Sequence, residues 1–258
     1  MVFFWHGYLG SSQDMERVSG ILSLKIKNSR IHSWSTIEEV EDQGIFELGK
    51  TVADEIRYEI EKALALGELN TISFIGHSMG GLVLRAALEY LEEFKEYFNI
   101  FMTLATPHLG YMHSKSRLVS IGMWAISRMS KNPTLSELRL TDNTKDIKSC
   151  TIYKLSSKPG LDWFKTVLIV GSLQDNYAPI ETSMIKLSEN MEKHYLYDDY
   201  SKMWANLYKR LKKTNVYRIY FSFEFLEGSI DTYIGRMAHI QFLDNADVIR
   251  MLAYRYFD

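Results

Sequence analysis

The chain has 258 residues, thirty Lys and Arg against thirty-two Asp and Glu, and a formal charge of −2. Hydrophobic residues make up 46% and charged residues 24%, the balance of a globular chain long enough for one large domain. Near-neutral charge excludes nucleic-acid binding as the main role, since phosphate recognition needs a surplus of cations, and the single cysteine, Cys150, excludes an internal disulfide and a cysteine-based zinc site.

Residues 2–5 read as a buried strand that ends in the turn His6-Gly7-Tyr8. Residues 13–26 carry a helical pattern and 30–34 a short strand. Residues 46–66 form the clearest amphipathic helix: Leu48, Val52, Ile56, Ile60, Ala63 and Leu64 recur at three and four, and Gly67 stops it. A strand at 71–75 follows, then a helix over 80–98, apolar in its first half and charged in its second, then a strand at 100–104 closed by Thr106-Pro107. The stretch 111–159 is helical by pattern without a strand candidate, and 111–160 reads as a helical cap inserted in the domain. A strand at 167–170, a helix at 189–213, a strand at 217–225 and a terminal helix at 246–257 complete the order. Strand and helix in alternation predict an α/β fold, a mostly parallel sheet with helices on both faces, in a single domain over 1–258. No run of eighteen apolar residues is present, so no membrane-spanning helix is expected. Residues 1–5 are too few for a signal-peptide core and lack a basic start, and a lone cysteine fits a reducing compartment, so the expected location is cytoplasmic.

Gly76-His77-Ser78-Met79-Gly80 is a G-x-S-x-G pattern set between a strand and a helix. That context turns the pattern into a mechanism: a serine on a very sharp strand-to-helix turn has its hydroxyl raised above the sheet at the positive end of a helix. Residues two before and two after must be glycine, because a Cβ there would meet the chain folding back. Ser78 is therefore the candidate nucleophile, and it needs a base within hydrogen-bond reach. In such folds the order along the chain is serine, acid, histidine. Asp175 lies four residues past Gly171, in a loop at the carboxyl end of a buried strand, and is the candidate acid. Of the two histidines beyond it, His194 falls in a charged helical stretch, whereas His239 sits between the last strand and the final helix, in the loop where the base is expected.

Acyl transfer also needs donors for the oxygen that becomes negative. One is the backbone N–H of Met79, and the other is that of Tyr8 or Leu9, in a turn that Gly7 leaves open to close approach. His77 is expected to hold the elbow and to point away from the side that Ser78 faces. His6 is expected to be bonded within its turn. Gly7, His77, His108 and Leu109 are expected around the pocket, the last two because Thr106-Pro107-His108-Leu109-Gly110 closes a strand at the same mouth. Trp124 belongs to an apolar helical stretch that either packs on the sheet or covers an acyl chain. No histidine and carboxylate spacing completes a metal set, so no metal is expected.

At these residues the chain resembles the lipase-like serine esterases of the α/β-hydrolase superfamily. In particular it resembles the domain, long labelled as of unknown function, at the C-terminal end of certain large eukaryotic proteins. The matching segments are the opening strand with His6-Gly7, Gly76-His77-Ser78-Met79-Gly80, Thr106-Pro107-His108-Leu109-Gly110, Tyr153-Lys154-Leu155-Ser156, Val170-Gly171-Ser172-Leu173-Gln174-Asp175 and Gly235-Arg236-Met237-Ala238-His239. The resemblance covers nearly the whole chain. It implies an α/β-hydrolase fold, a Ser78-Asp175-His239 triad, no metal or organic cofactor, and an ester or acyl-lipid substrate. Gly81 stands where relatives carry a larger residue, a difference read as neutral. The chain opens at its first strand without the long N-terminal part of those proteins, as a short form or a late start. Two other readings stay beside the esterase: a binding or scaffold module with an unused triad, and a thioesterase or amide hydrolase using the same groups. The sequence leaves contact with a membrane surface and the oligomeric state open.

Overall fold

In the computed structural model the described residues are 1–7, 10–27, 29–33, 43–111, 133–143, 145–187, 192, 195–224 and 231–257. Among them six strands form one sheet: β1 Val2–Trp5, β2 Ile31–Ser33, β3 Ile72–His77, β4 Phe98–Leu104, β5 Thr166–Ser172 and β6 Asn215–Phe221. Their spatial order is β2-β1-β3-β4-β5-β6, and every pairing is parallel. Parallel strands need a covered sheet on both faces, and accordingly every residue of β1 and β3 and all of β5 after Thr166 is buried.

Side chains alternate across each strand, so one strand feeds two cores. Phe3 and Trp5 of β1 join Phe74, Phe101, Val167 and Ile169 on one face. Val2 and Phe4 join Ile75, Met102, Leu168 and Val170 on the other. Helices α2 (Ile45–Ala65), α3 (Met79–Ala87), α5 (Thr151–Ser157) and α7 (Tyr197–Leu211) cover the first face. Helices α1 (Glu16–Lys25), α8 (Asp231–Asp244) and α9 (Ala246–Tyr256) cover the second. Two short helices, α4 (Pro133–Leu138) and α6 (Ile180–Ser183), lie in the connections around β5.

Four expectations change. The helix expected over 80–98 ends at Ala87 and continues as two 3-10 turns, Leu88–Tyr90 and Glu92–Tyr97. Phe98 then enters β4 opposite Ile72, so tertiary pairing overrides a local helical pattern. The last strand ends at Phe221 rather than at 225, and α7 begins at Tyr197 rather than at 189. Most importantly, 231–244 is a helix, so His239 stands on α8 and not in a loop. Gly235 reads in sequence as a breaker; here it lets the helix approach Asn176, whose Cβ would lie 2.6 Å from a Cβ added to Gly235. Of the cap expected over 111–160, residues 112–132 lie outside the described residues, as does Trp124. Among the described residues no helix is long and apolar enough to cross a membrane.

Helix α9 tests the local physics that seats α8. Asn245 is its N-cap, with Oδ1 accepting from the N–H groups of Asp247 at 3.0 Å and Val248 at 3.2 Å. Asn245→Ala should lower unfolding free energy by about 1 kcal/mol, read from the urea midpoint. An unchanged midpoint would remove the cap from this account.

Candidate active site

The carboxyl end of β3 turns directly into α3, and Ser78 is the whole turn. Its backbone has φ 52° and ψ −128°, a conformation that costs an L-residue on the order of 1–3 kcal/mol. The surroundings hold it there. The Ser78 N–H donates to the Leu104 carbonyl at 2.8 Å, and the Gly81 N–H donates to the Ser78 carbonyl at 3.2 Å. The glycines leave the space that the turn needs. A Cβ on Gly76 would lie 2.5 Å from Cα of Gly81, and one on Gly80 would lie 2.5 Å from the Trp5 carbonyl oxygen. These are backbone atoms, so nothing flexible can give. Gly81 corrects an expectation: a Cβ there would collide with Oγ1 of Thr106, so the glycine is required in this chain.

Gly7 brings β1 to the same point. A Cβ on it would lie 3.0 Å from Cβ of Ser78, 3.5 Å from Oγ of Ser78 and 3.2 Å from Nδ1 of His77. His6 bonds within its turn, with Nδ1 2.8 Å from the Gly7 carbonyl oxygen. Tyr8 and Leu9, the expected second oxyanion donors, lie outside the described residues. Met79 is the first residue of α3, so its N–H is among those left without an intrahelical partner.

Asp175 follows β5, and its two oxygens do different work. Oδ1 accepts from the N–H groups of Tyr177 at 2.7 Å and Ala178 at 3.0 Å, which fixes the loop. Oδ2 lies 2.7 Å from Nδ1 of His239. A carboxylate only accepts, so Nδ1 carries the proton and the lone pair of the neutral ring is on Nε2. The pair is enclosed, with the Asp175 side chain at 0% and the His239 side chain at 11% exposure. Gln174 braces the loop from behind through its Nε2, which donates to the Phe223 carbonyl at 2.8 Å, and its Oε1, which accepts from the Phe223 N–H at 2.7 Å.

His77 does not point away from this group. Its ring lies 4.7 Å from that of His239, and its Nε2 lies 3.1 Å from the His239 carbonyl oxygen. Burial, and then the neighbouring His239, lower its pKa to about 3. His108 and Leu109 are also placed differently from expectation, inside the protein rather than at a mouth. His108 has Nε2 3.1 Å from Oγ1 of Thr103 and Nδ1 3.3 Å from the guanidinium of Arg85. Arg85 also donates to the carbonyls of His108 at 3.3 Å and Leu155 at 2.9 Å. The reason is that a buried guanidinium needs acceptors, and burial lowers the Arg85 pKa to about 9. The structure thus brings Gly7, His77, Ser78, Asp175 and His239 into one neighbourhood, puts His108 in a separate buried network, and buries Leu109 with its N–H donating to Oγ1 of Thr182 at 2.8 Å. Sequence reasoning missed Arg85, a lone cation in an apolar helix, and Tyr177, two residues past Asp175. Tyr177 stacks on His239 at 5.4 Å and 29°.

A family profile described as "Putative serine esterase (DUF676)" matches residues 1–188. Among solved structures, carboxyl esterase 2 from the mycorrhizal fungus Tuber melanosporum is similar in fold, with a TM-score of 0.52 at 14% identity over 99% of this chain and 77% of that one. A lipase-esterase related protein from Clostridium acetobutylicum gives a TM-score of 0.48 at 15% identity over 99% of this chain and 93% of that one. An esterase from the archaeon Pyrobaculum calidifontis gives 0.46 at 16% identity over 98% and 76%.

The neutral buried histidines set a pH dependence of stability. Burial holds the pKa of His77 near 3, that of His108 well below 6.5, and that of His32 below it as well. The unfolded chain takes up these protons near pH 6.5 while the folded chain does not, so the unfolded state binds more and stability falls as pH falls below 6.5. Above that value the contribution is complete. Glu137, raised by burial, works in the opposite sense at lower pH, but it is one group against three. The urea midpoint should drop between pH 7 and 5, with each fully buried histidine contributing up to about 1.4 kcal/mol per pH unit. A midpoint that is flat or rising over that range would contradict the burial of neutral rings.

Proposed function

Since the chain belongs to the DUF676 serine esterase family, we propose that it hydrolyses carboxylic esters, with acyl-lipid or lipid-like esters as the substrate class. Ser78 is the nucleophile, His239 the general base and Asp175 its orienting acid. The observation that carries this reading is the enclosed 2.7 Å contact between His239 Nδ1 and Asp175 Oδ2 beside the strained turn of Ser78.

The steps follow from the groups. Oγ of Ser78 attacks the ester carbonyl carbon while its proton moves to Nε2 of His239. Asp175 holds the imidazole in the tautomer that leaves Nε2 free, and it offsets the positive charge that forms on the ring. The tetrahedral oxyanion takes the N–H of Met79, at the positive end of α3. Tyr8 or Leu9, which follow Gly7 in the sequence, is the proposed second donor. As the tetrahedral species collapses, the C–O bond to the alcohol breaks and His239 gives the alcohol its proton. Water then attacks the acyl-Ser78 ester with His239 again as base, releasing the acid and restoring the hydroxyl.

Ser78→Ala should lower kcat on a p-nitrophenyl ester by about 10⁴ or more, and Asp175→Asn by roughly 10³–10⁴ with KM little changed. Turnover by Ser78→Ala equal to that of the unmodified chain would refute the assignment. In the same assays, a series of acyl chain lengths should favour the longer chains over acetate, and an amide should be the poorest substrate beside an ester and a thioester. A preference for acetate would remove the lipid part of the reading.

A further inference from the structure

The bond from His77 to the backbone of His239 has no part in the reaction above. Nε2 of His77 faces the His239 carbonyl oxygen at 3.1 Å. A carbonyl only accepts, so Nε2 carries the proton and donates it, and Nδ1 is bare in the neutral ring. A main-chain carbonyl has two lone pairs, so this bond is compatible with the helical bond of the same group within α8. The two rings lie 4.7 Å apart with planes at 50°. The Tyr177 ring also packs on His239, at 5.4 Å and 29°. Gly7 leaves the room for this arrangement, since a Cβ on it would press on Nδ1 of His77 at 3.2 Å and on Cβ of Ser78 at 3.0 Å.

His77 is joined by one peptide bond to Ser78 and by one hydrogen bond to the main chain of His239. The base stands on a helix, α8, that is not a strand of the sheet carrying the nucleophile, so its position relative to Ser78 must be fixed by particular contacts. Asp175 fixes the ring from the β5 side, and Gly235 lets α8 close on Asn176. His77 fixes the main chain from the β3 side. We infer that His77 is a positioning residue: its Nε2–H, bonded to the His239 carbonyl, sets the distance between base and nucleophile, and its ring forms one wall of the base's seat. This rests on the proposed roles of Ser78 and His239. Reaction geometry is steep in distance, and a misplacement of about 1 Å costs on the order of 100-fold in rate. A histidine that only filled space would not show dependence on its N–H.

The test is steady-state hydrolysis of a p-nitrophenyl ester by the full chain with two substitutions. His77→Phe keeps a ring of similar size and removes the N–H, whereas His77→Gln keeps an N–H donor of similar reach and removes the ring. His77→Phe should lower kcat about 10- to 100-fold with KM within about twofold, and His77→Gln should stay within about threefold of the unmodified kcat. Unmodified kcat in His77→Phe, or an equal loss in both variants, would overturn the inference. A measurement on the unmodified chain decides the matter if a variant does not fold. Nitrogen-15 spectra of the ring should show His77 protonated at Nε2 and not titrating from pH 5 to 8. A proton on Nδ1, or titration in that range, would overturn it. Failure of the inference is distinct from failure of the proposed reaction: the latter is read from Ser78→Ala, and an unmodified kcat in His77→Phe leaves that result untouched.

Discussion

Everything in the site depends on one backbone constraint, the positive φ of Ser78. A parallel sheet ends its strands at one edge, and only a turn as tight as this one puts a side chain above that edge at the start of a helix. The conformation costs an L-serine free energy, and the fold offsets that cost with packing that admits no Cβ at Gly76, Gly80 or Gly81. The carbonyls of Trp5 and His6 close against Gly80 from β1, Leu104 holds the Ser78 N–H from β4, and Thr106 closes against Gly81. The neighbouring strands of β3 thereby define the turn as much as its own residues do.

The second feature is how charge is handled around that turn. His77 and His108 are held neutral by burial, so each ring keeps one N–H donor and one acceptor nitrogen. Asp175 spends one oxygen on its own loop and the other on His239. Arg85 satisfies its buried charge on two main-chain carbonyls and a neutral histidine rather than on a carboxylate.

Much of this was legible in the sequence, for identifiable reasons. Strands buried on both faces are apolar runs, so β1, β3, β4 and β5 stand out. The elbow is legible because two glycines flank Ser78 at fixed offsets between a strand and a helix. Asp175 and His239 follow from their order in the chain once the fold class is set. The helix under His239 was not legible: Gly235 breaks the pattern, and the close approach to Asn176 that requires it is a tertiary fact. The inward placement of His108 was hidden for a similar reason, since it depends on Arg85, twenty-three residues earlier. His77 was misplaced because alternation along a strand fails where the strand turns out of the sheet at Ser78.

The central claim is that a hydroxyl on this turn is activated by the imidazole of His239. A fluorophosphonate reacts far faster with a serine so activated than with an ordinary hydroxyl, and the mass of the intact chain reports the adduct. The account predicts one adduct per chain, on the peptide that contains Ser78, formed within minutes by the unmodified chain and suppressed at least 100-fold in rate by His239→Ala. An adduct on another residue, or equal labelling of Ser78 with and without His239, would contradict it.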